Sequence, residues 1–251
     1  EIFTDVDLAV DRGTRVVVLG LNGAGKTTLL RILGGLEYPS SGRVLFDGQD
    51  ATGLTVQERR AGFVFQSYAL FPWLTVRQNV EFGLRIKGMP AAERRRVSDH
   101  FIDLVGLRDF ADALPKTLSG GMKQRCAIAR AYAVNPTMLL MDEPFGALDA
   151  LTRVNMQDQL LDTWSRERRT VIFITHDLPV LRTVATRIAV MYQGKVVESG
   201  PTDVIVDHPE HPYTRALLSS VLTPEPKYAK IRIEGMRAFD RESFKAPEVK
   251  H

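Results

Sequence analysis

The chain has 251 residues, 44% of them hydrophobic, and a formal net charge of +3. That length and apolar content suffice for a sizeable core in one domain with subdomains, and so mildly basic a balance suits polyphosphate ligands or an anionic surface without demanding either. The single cysteine, Cys126, excludes an internal disulfide and any cysteine-built metal site, and no apolar run approaches the ~18–20 residues of a membrane-spanning helix.

In chain order, short β-rich runs alternate with longer helical patterns. Strands are predicted at 6–10, 15–19, 43–46, 62–66, 138–142, 170–175, 187–192 and 195–199. Helices are predicted at 25–33, 76–86, 91–105, 120–134, 149–168, 178–185 and 213–221. VVVLG, MLLMD and VIFIT are almost continuously apolar, as strands covered on both faces are. The alternation predicts an α/β fold with a parallel sheet. VDLAV, RVVVL and GRVLF early in the chain and the AVMYQGKVVESG hairpin late in it are expected to add antiparallel strands.

Between Gln66 and Leu118 no strong strand occurs, which predicts a helical subdomain, about residues 67–125, inserted in the α/β core. Residues 1–222 form the domain; residues 223–251, rich in Pro and mixed charge, are expected to be a loosely ordered extension of unassigned role. The chain starts at Glu1 without methionine or a signal-peptide pattern, close to a strand-like run, so a preceding segment is expected. Its cysteine usage fits a reducing cytoplasm, and Cys126, inside CAIARAYAV, reads as a packed core thiol.

Candidate chemistry gathers at strand ends. VVVLG runs into Gly20, Leu21, Asn22, Gly23, Ala24, Gly25, Lys26 and Thr27, the G-x-x-x-x-G-K-[ST] pattern, followed by the apolar helix LLRIL. Glycine tolerates the dihedrals that let the loop's N–H groups converge on phosphate oxygens. Lys26 is expected to hold the β- and γ-phosphates, Thr27 to ligate Mg²⁺ and Thr28 to assist at the α-phosphate. A chance glycine turn would not bring strand, lysine, hydroxyl and apolar helix in this order.

MLLMDE delivers Asp142 and Glu143 at the end of an apolar strand. Asp142 can hold Mg²⁺ through water, and Glu143 can polarise an attacking water as general base. Without the glycine loop, Glu143 would read as a solvated loop acid. In LSGG, Ser119 is an expected N-cap with the open N–H groups of Gly120 and Gly121 behind it, an arrangement able to bind a γ-phosphate. The loop at Gly20–Thr27 already serves this chain's phosphates, so the economical reading is a phosphate held by a partner subunit; the bland reading is a plain N-cap. His176 follows TVIFIT at a strand end, where ligands collect in α/β folds, and a γ-phosphate contact is favoured over a structural histidine. Gln66, ending GFVFQ, obeys the same logic, its amide reaching Mg²⁺ or the lytic water.

Together these residues resemble the ATP-binding subunit of ABC transporters, from about Val6 to Val221. Gly20–Thr27 is similar to the Walker A loop, Gln66 to the Q-loop and Leu118–Gly121 to the ABC signature. Met138–Asp142 is similar to Walker B with Glu143 as catalytic base, Ala147–Leu148–Asp149 to the D-loop, and His176 to the switch histidine. The resemblance implies a P-loop NTPase (RecA-like) core with a parallel sheet, an antiparallel β subdomain and an inserted helical subdomain. It implies ATP and Mg²⁺, and a second ATP-binding subunit, identical or closely related, paired head-to-tail so that each ATP lies between one Walker A and the other's signature. It also implies transmembrane permease subunits, a substrate-binding protein, no nucleic acid, and a peripheral position on the cytoplasmic face of the cell (inner) membrane.

By the same resemblance, Tyr68–Arg85 lies where the family binds the permease's coupling helices, and Phe71, Pro72, Trp73 and Leu74 would form a costly exposed patch without a partner. For Phe71 and Trp73, packing under the helical subdomain is an equal alternative. FPWLTVRQNVEFGLR, LSGGMKQR and MDEPFGALDALTR look like importers of the nitrate/sulfonate/taurine group, whereas GPTDVIVDHPEHPYTRALLSSV looks like the oligopeptide/dipeptide/nickel group. The latter often carries cysteines after this point and this chain has none, which favours the former. Met122 replaces the usual glutamine after the signature, the adenine-stacking aromatic falls before Glu1, and Phe3 reads as a core residue. A DNA-repair ATPase would need a long coiled coil between the glycine motifs, a ribosome-associated protein two sets of motifs, and a GTPase an NKxD motif; none is present. An exporter or lipid-extraction ATPase stays open, because these motifs do not encode transport direction.

Overall fold

The structure, a computed structural model, describes residues 2–145, 153–154, 157–158, 161, 169–175 and 178–222. Its central sheet joins β1 (Arg15–Leu19), β4 (Ala61–Val64), β5 (Met138–Asp142), β6 (Thr170–Ile174), β7 (Arg187–Tyr192) and β8 (Lys195–Pro201) in the order β4-β5-β6-β1-β7-β8. All neighbours are parallel except β8, which returns antiparallel from β7. A separate hairpin pairs β2 (Leu45–Phe46) with β3 (Gln49–Asp50).

Period-two side-chain alternation divides the core between the two faces of the sheet. Val16, Val18, Leu140, Ile172, Ile174 and Met191 pack with Leu29 and Leu30 of α1 (Lys26–Gly34). Val17, Leu19, Leu139, Met141, Phe173 and Val190 pack with the opposite layer. That layer contains α3 (Val76–Ile86), α4 (Ala91–Leu104) and α5 (Gly120–Ala133), packed on one another, with α5 resting on β4. It also contains residues of α6 (Leu178–Val184), α7 (Thr202–Asp207) and α8 (Pro212–Leu222). Each fully buried aliphatic side chain contributes about 1.5–3 kcal/mol. Short α2 spans Val56–Arg59. Its Arg59, buried at 2% exposure, donates to the carbonyls of Ile32 and Leu33 and so satisfies the C-terminus of α1.

Asn79, fully buried, shapes the chain ahead of α3. Its Oδ1 accepts the Phe71 N–H at 2.9 Å, and its Nδ2 donates to the carbonyls of Phe71, Leu74 and Thr75. Cys126 is fully buried and its thiol is pushed up to about 12 by burial, the behaviour of a core residue.

Three expectations need correction. Residues 6–10 form no strand, although Val6, Leu8 and Val10 still turn toward the core beside α1. RVVVL is not antiparallel: β1 lies inside the sheet, parallel to both β6 and β7. Among the described residues the antiparallel part is confined to the β2–β3 hairpin and β8, and GRVLF contributes only Leu45–Phe46. The helix expected at 149–168 lies mostly outside the described residues, and α2 and α7 were not foreseen.

Candidate functional site

Parallel pairing brings four strand ends to one edge. Val64 is level with Met141, Asp142 with Ile174, and Val18 also with Ile174. The segments that leave this edge carry Gly20–Thr27, Gln66 and Glu143.

Gly20 has φ 152°, and a Cβ there would lie 2.2 Å from the Met191 carbonyl oxygen, so no other residue fits. Gly25, with φ 95°, starts α1 in the left-handed region. No side chain caps α1 and its first turn holds no acid, so its leading N–H groups are open to an anion. Lys26 is buried and its Nζ donates to the carbonyls of Gly20 and Leu21, each at 2.8 Å. Burial pulls its pKa down, opposed by the charges of Glu143 and Asp142. The Leu21 N–H donates to the Tyr213 hydroxyl at 3.0 Å.

Thr27 Oγ1 donates to Asp142 Oδ2 at 3.0 Å. Desolvation raises the Asp142 pKa, assisted by nearby Glu143 and opposed by the Thr27 hydrogen bond, Lys26 and Arg31. A hydroxyl and a carboxylate that is costly to keep charged fit a hard divalent cation. No group of three or more His, Cys, Asp or Glu suited to a metal occurs among the described residues. The Thr27 hydroxyl and the Asp142 carboxylate are the kind of oxygen donors that Mg²⁺ takes, one or two from protein beside phosphate oxygens and water.

Glu143 has φ 51°, a left-handed conformation costing about 1–2 kcal/mol in a residue with a Cβ. Its N–H donates to Ile174 O at 3.1 Å, which turns the chain off β5, and its Oε2 accepts from Gln66 Nε2 at 3.3 Å. Thus Lys26, Thr27, Asp142, Glu143 and Gln66 gather at one edge, with exposed Asn22 and Gly23, buried Ala24 and half-buried Thr28 completing the loop and first turn. The arrangement offers phosphate donors, oxygen ligands and a carboxylate poised beside an amide.

Ser119 caps α5, its Oγ accepting from Met122 N–H at 3.3 Å; Ser119 and Gly120 are exposed and Gly121 is half-buried. α5 belongs to the layer on the face opposite α1. The chain therefore does not gather its two glycine motifs on one face of the sheet. His176 and Asp149, with the rest of Ala147–Leu148–Asp149, lie outside the described residues. Tyr213 was missed as a loop contact: only its place at a helix start was legible, and no local spacing points from it to Leu21.

A strand, a glycine loop and a buried lysine opening a helix, faced by a threonine–aspartate pair, define a P-loop nucleotide site. The ABC transporter family profile matches residues 3–146, and a second profile, the C-terminal region of oligopeptide/dipeptide transporters, matches residues 197–245. This second match includes most of the 223–251 stretch. A Brucella abortus (strain 2308) protein whose name records only ATP binding is 56% identical over 229 residues, covering 90% of this chain and 83% of that protein. The sulfate/thiosulfate import ATP-binding protein of Thermosynechococcus vestitus is 45% identical, covering 86% of this chain and 64% of that protein. A solved dimeric bacterial ABC transporter cassette, MJ0796, superposes with TM-score 0.74 at 36% identity, covering 80% of this chain and 90% of that one; the same cassette is also known as a dimer bound to ADP and Pi. The chain belongs to the ABC transporter family, as an ATP-binding, ATP-hydrolysing domain.

Proposed function

We propose that this chain powers import of a solute across the cytoplasmic membrane, as one of two ATPase subunits docked peripherally on permease subunits and fed by a substrate-binding protein. The observation that carries the paired state is the division of the glycine motifs between opposite faces of the sheet, with Ser119 and Gly120 exposed. The dimeric cassette of similar fold supports it. In this reading, residues 1–222 are the ATPase domain, with residues 67–125 as its helical subdomain.

ATP lies with its phosphates on the N–H groups of residues 20–28, Lys26 holding the β- and γ-oxygens. Thr27, Asp142 and Gln66 would hold Mg²⁺, which would supply neutralisation of the charge on the phosphate oxygens. Glu143 accepts a proton from water as the water oxygen attacks the γ-phosphorus, and the bond to the ADP oxygen breaks. Gln66 orients the Glu143 carboxylate, and His176 and Asp149 act at the γ-phosphate and across the dimer. Ser119, Gly120 and Gly121 bind the γ-phosphate held by the partner subunit.

For the cargo we favour a small anionic or related nutrient such as nitrate, a sulfonate or taurine. The likeness to a sulfate/thiosulfate import protein supports an oxyanion. The C-terminal match at residues 197–245 favours a second reading, an oligopeptide/dipeptide-type importer. Purification of the native membrane complex tests both: an oxyanion- or taurine-binding partner supports the first, a peptide-binding partner the second, and a complex without permease overturns the transport role. ATPase rate per chain should rise with protein concentration; a rate unchanged by dilution to monomer overturns the paired site.

A further inference from the structure

We infer that Tyr213 is a positioning residue for the phosphate loop, the contact through which the C-terminal region holds the Gly20–Leu21 peptide in its nucleotide-binding orientation. The inference rests on the reading of residues 20–27 as the ATP loop and goes beyond it, because neither the loop pattern nor the strand-end residues involve α8.

One planar peptide unit is at issue. Its carbonyl, Gly20 O, accepts Lys26 Nζ at 2.8 Å, and its amide, Leu21 N–H, donates to the Tyr213 hydroxyl at 3.0 Å. In a trans peptide these groups point in opposite directions, so Lys26 and Tyr213 grip the plane from its two sides. Gly20 offers no steric restraint of its own, having no side chain and a φ of 152° that few residues adopt. Orientation of this peptide therefore depends on its two hydrogen bonds. A phosphate competes for the Lys26 ammonium, whose three donors include the two now given to Gly20 and Leu21 carbonyls. As nucleotide draws on that ammonium, the hold on Gly20 O loosens and the Tyr213 contact remains.

Tyr213 is built to stay in place. It is 4% exposed, and its ring lies on that of Tyr192 with centroids 4.2 Å apart. Its own N–H donates to His211 Nδ1 at 3.1 Å. The Glu198 carboxylate on β8 accepts the N–H groups of Glu210 and His211 at 2.8 and 3.1 Å, pinning the turn that leads into α8. A chain of contacts thus runs from β8 through the turn to the loop, and its Glu198, Glu210, His211 and Tyr213 lie within the span that matches the oligopeptide-type C-terminal region.

Tyr213→Phe keeps the ring contact and removes only the hydroxyl. In the full chain, titration with Mg·ADP is expected to show affinity weakened by about two- to tenfold, the loss of one net hydrogen bond. Hydrogen exchange at the Leu21 amide is expected to quicken by a similar factor. Tyr192→Phe, which removes the other hydroxyl of the ring pair, should leave both unchanged. Wild-type ADP affinity in Tyr213→Phe, or an equal loss in Tyr192→Phe, overturns the inference, since a merely structural role would lower thermal stability alone. Lys26→Ala separates the two levels: if it too binds ADP normally, the phosphate-loop assignment falls along with the inference, whereas a weakened Lys26→Ala beside an unaffected Tyr213→Phe overturns the inference only.

Discussion

The loop edge of the sheet and the N-terminus of α5 both present glycines and open backbone donors, yet the chain treats them differently. At the loop edge the polar side chains are tied down: Lys26 to two carbonyls, Thr27 to Asp142, Glu143 to Gln66. At α5 the Ser119 hydroxyl caps its own helix, and Ser119 and Gly120 stand exposed. A site that expels water needs its groups prearranged, because in a low dielectric each misplaced charge is costly. A surface that meets its ligand only when a partner arrives can stay solvated until then. The first region is thus expected to govern chemistry and nucleotide affinity, and the second association.

The largest effect should come from Glu143→Gln. Loss of the general base is expected to slow hydrolysis by about 10²–10⁴-fold while ATP still binds, so that an ATP-bound dimer accumulates on gel filtration. Hydrolysis at the wild-type rate would remove Glu143 from that role. Lys26→Ala should follow, weakening ATP binding by roughly 10- to 100-fold through loss of charge-assisted hydrogen bonds, as read by calorimetry. Ser119→Arg sharpens the contrast: monomer affinity for ATP should stay within about twofold, while ATP-driven dimerisation and turnover fall by at least about tenfold. Intact dimerisation in that variant would leave Ser119 as a plain helix cap.

Asp142→Asn is expected to separate function from stability. Because burial raises the Asp142 pKa, its charged form costs stability above the folded-state pKa, and that cost vanishes as pH falls below the unfolded value. The nucleotide-free variant should therefore unfold at a higher temperature than wild type at pH 7, with the advantage fading toward the ordinary aspartate range, while Mg²⁺-dependent turnover is lost. A variant less stable at pH 7 would show that the Thr27 contact outweighs desolvation.

Much of this edge was legible locally. The bounds expected for 15–19, 138–142, 187–192 and 76–86 coincide with β1, β5, β7 and α3. For the strands, unbroken apolar runs ending in glycine, acid or aromatic–amide leave little room for slippage; for α3, the Thr75–Gln78 capping box marks the start. Residues 6–10 show what periodicity omits. Val6, Leu8 and Val10 do pack against the core, but a strand also needs a partner to pair with, and β1 is already paired on both sides by β6 and β7. Tyr213 was illegible for the same reason, since its partner Leu21 lies 192 residues away.

The smallest effect separates two aromatics that the sequence left equivalent. Phe71 is half-buried, its ring 4.3 Å from that of Phe82 and under the Arg130 guanidinium, which also donates to the carbonyls of Tyr68 and Ala69. Those two residues carry positive φ, so Arg130 and Phe71 together brace the strained turn that follows Gln66. Trp73, by contrast, is 71% exposed. Phe71→Ala is expected to lower stability by about 1–3 kcal/mol, and Trp73→Ala by less than about 0.5 kcal/mol in the isolated chain. If Trp73 belongs to a permease-docking surface, the same Trp73→Ala protein should co-purify poorly with permease despite its unaltered unfolding curve. Equal destabilisation by the two changes would return Trp73 to the packing of the helical layer and remove it from that surface.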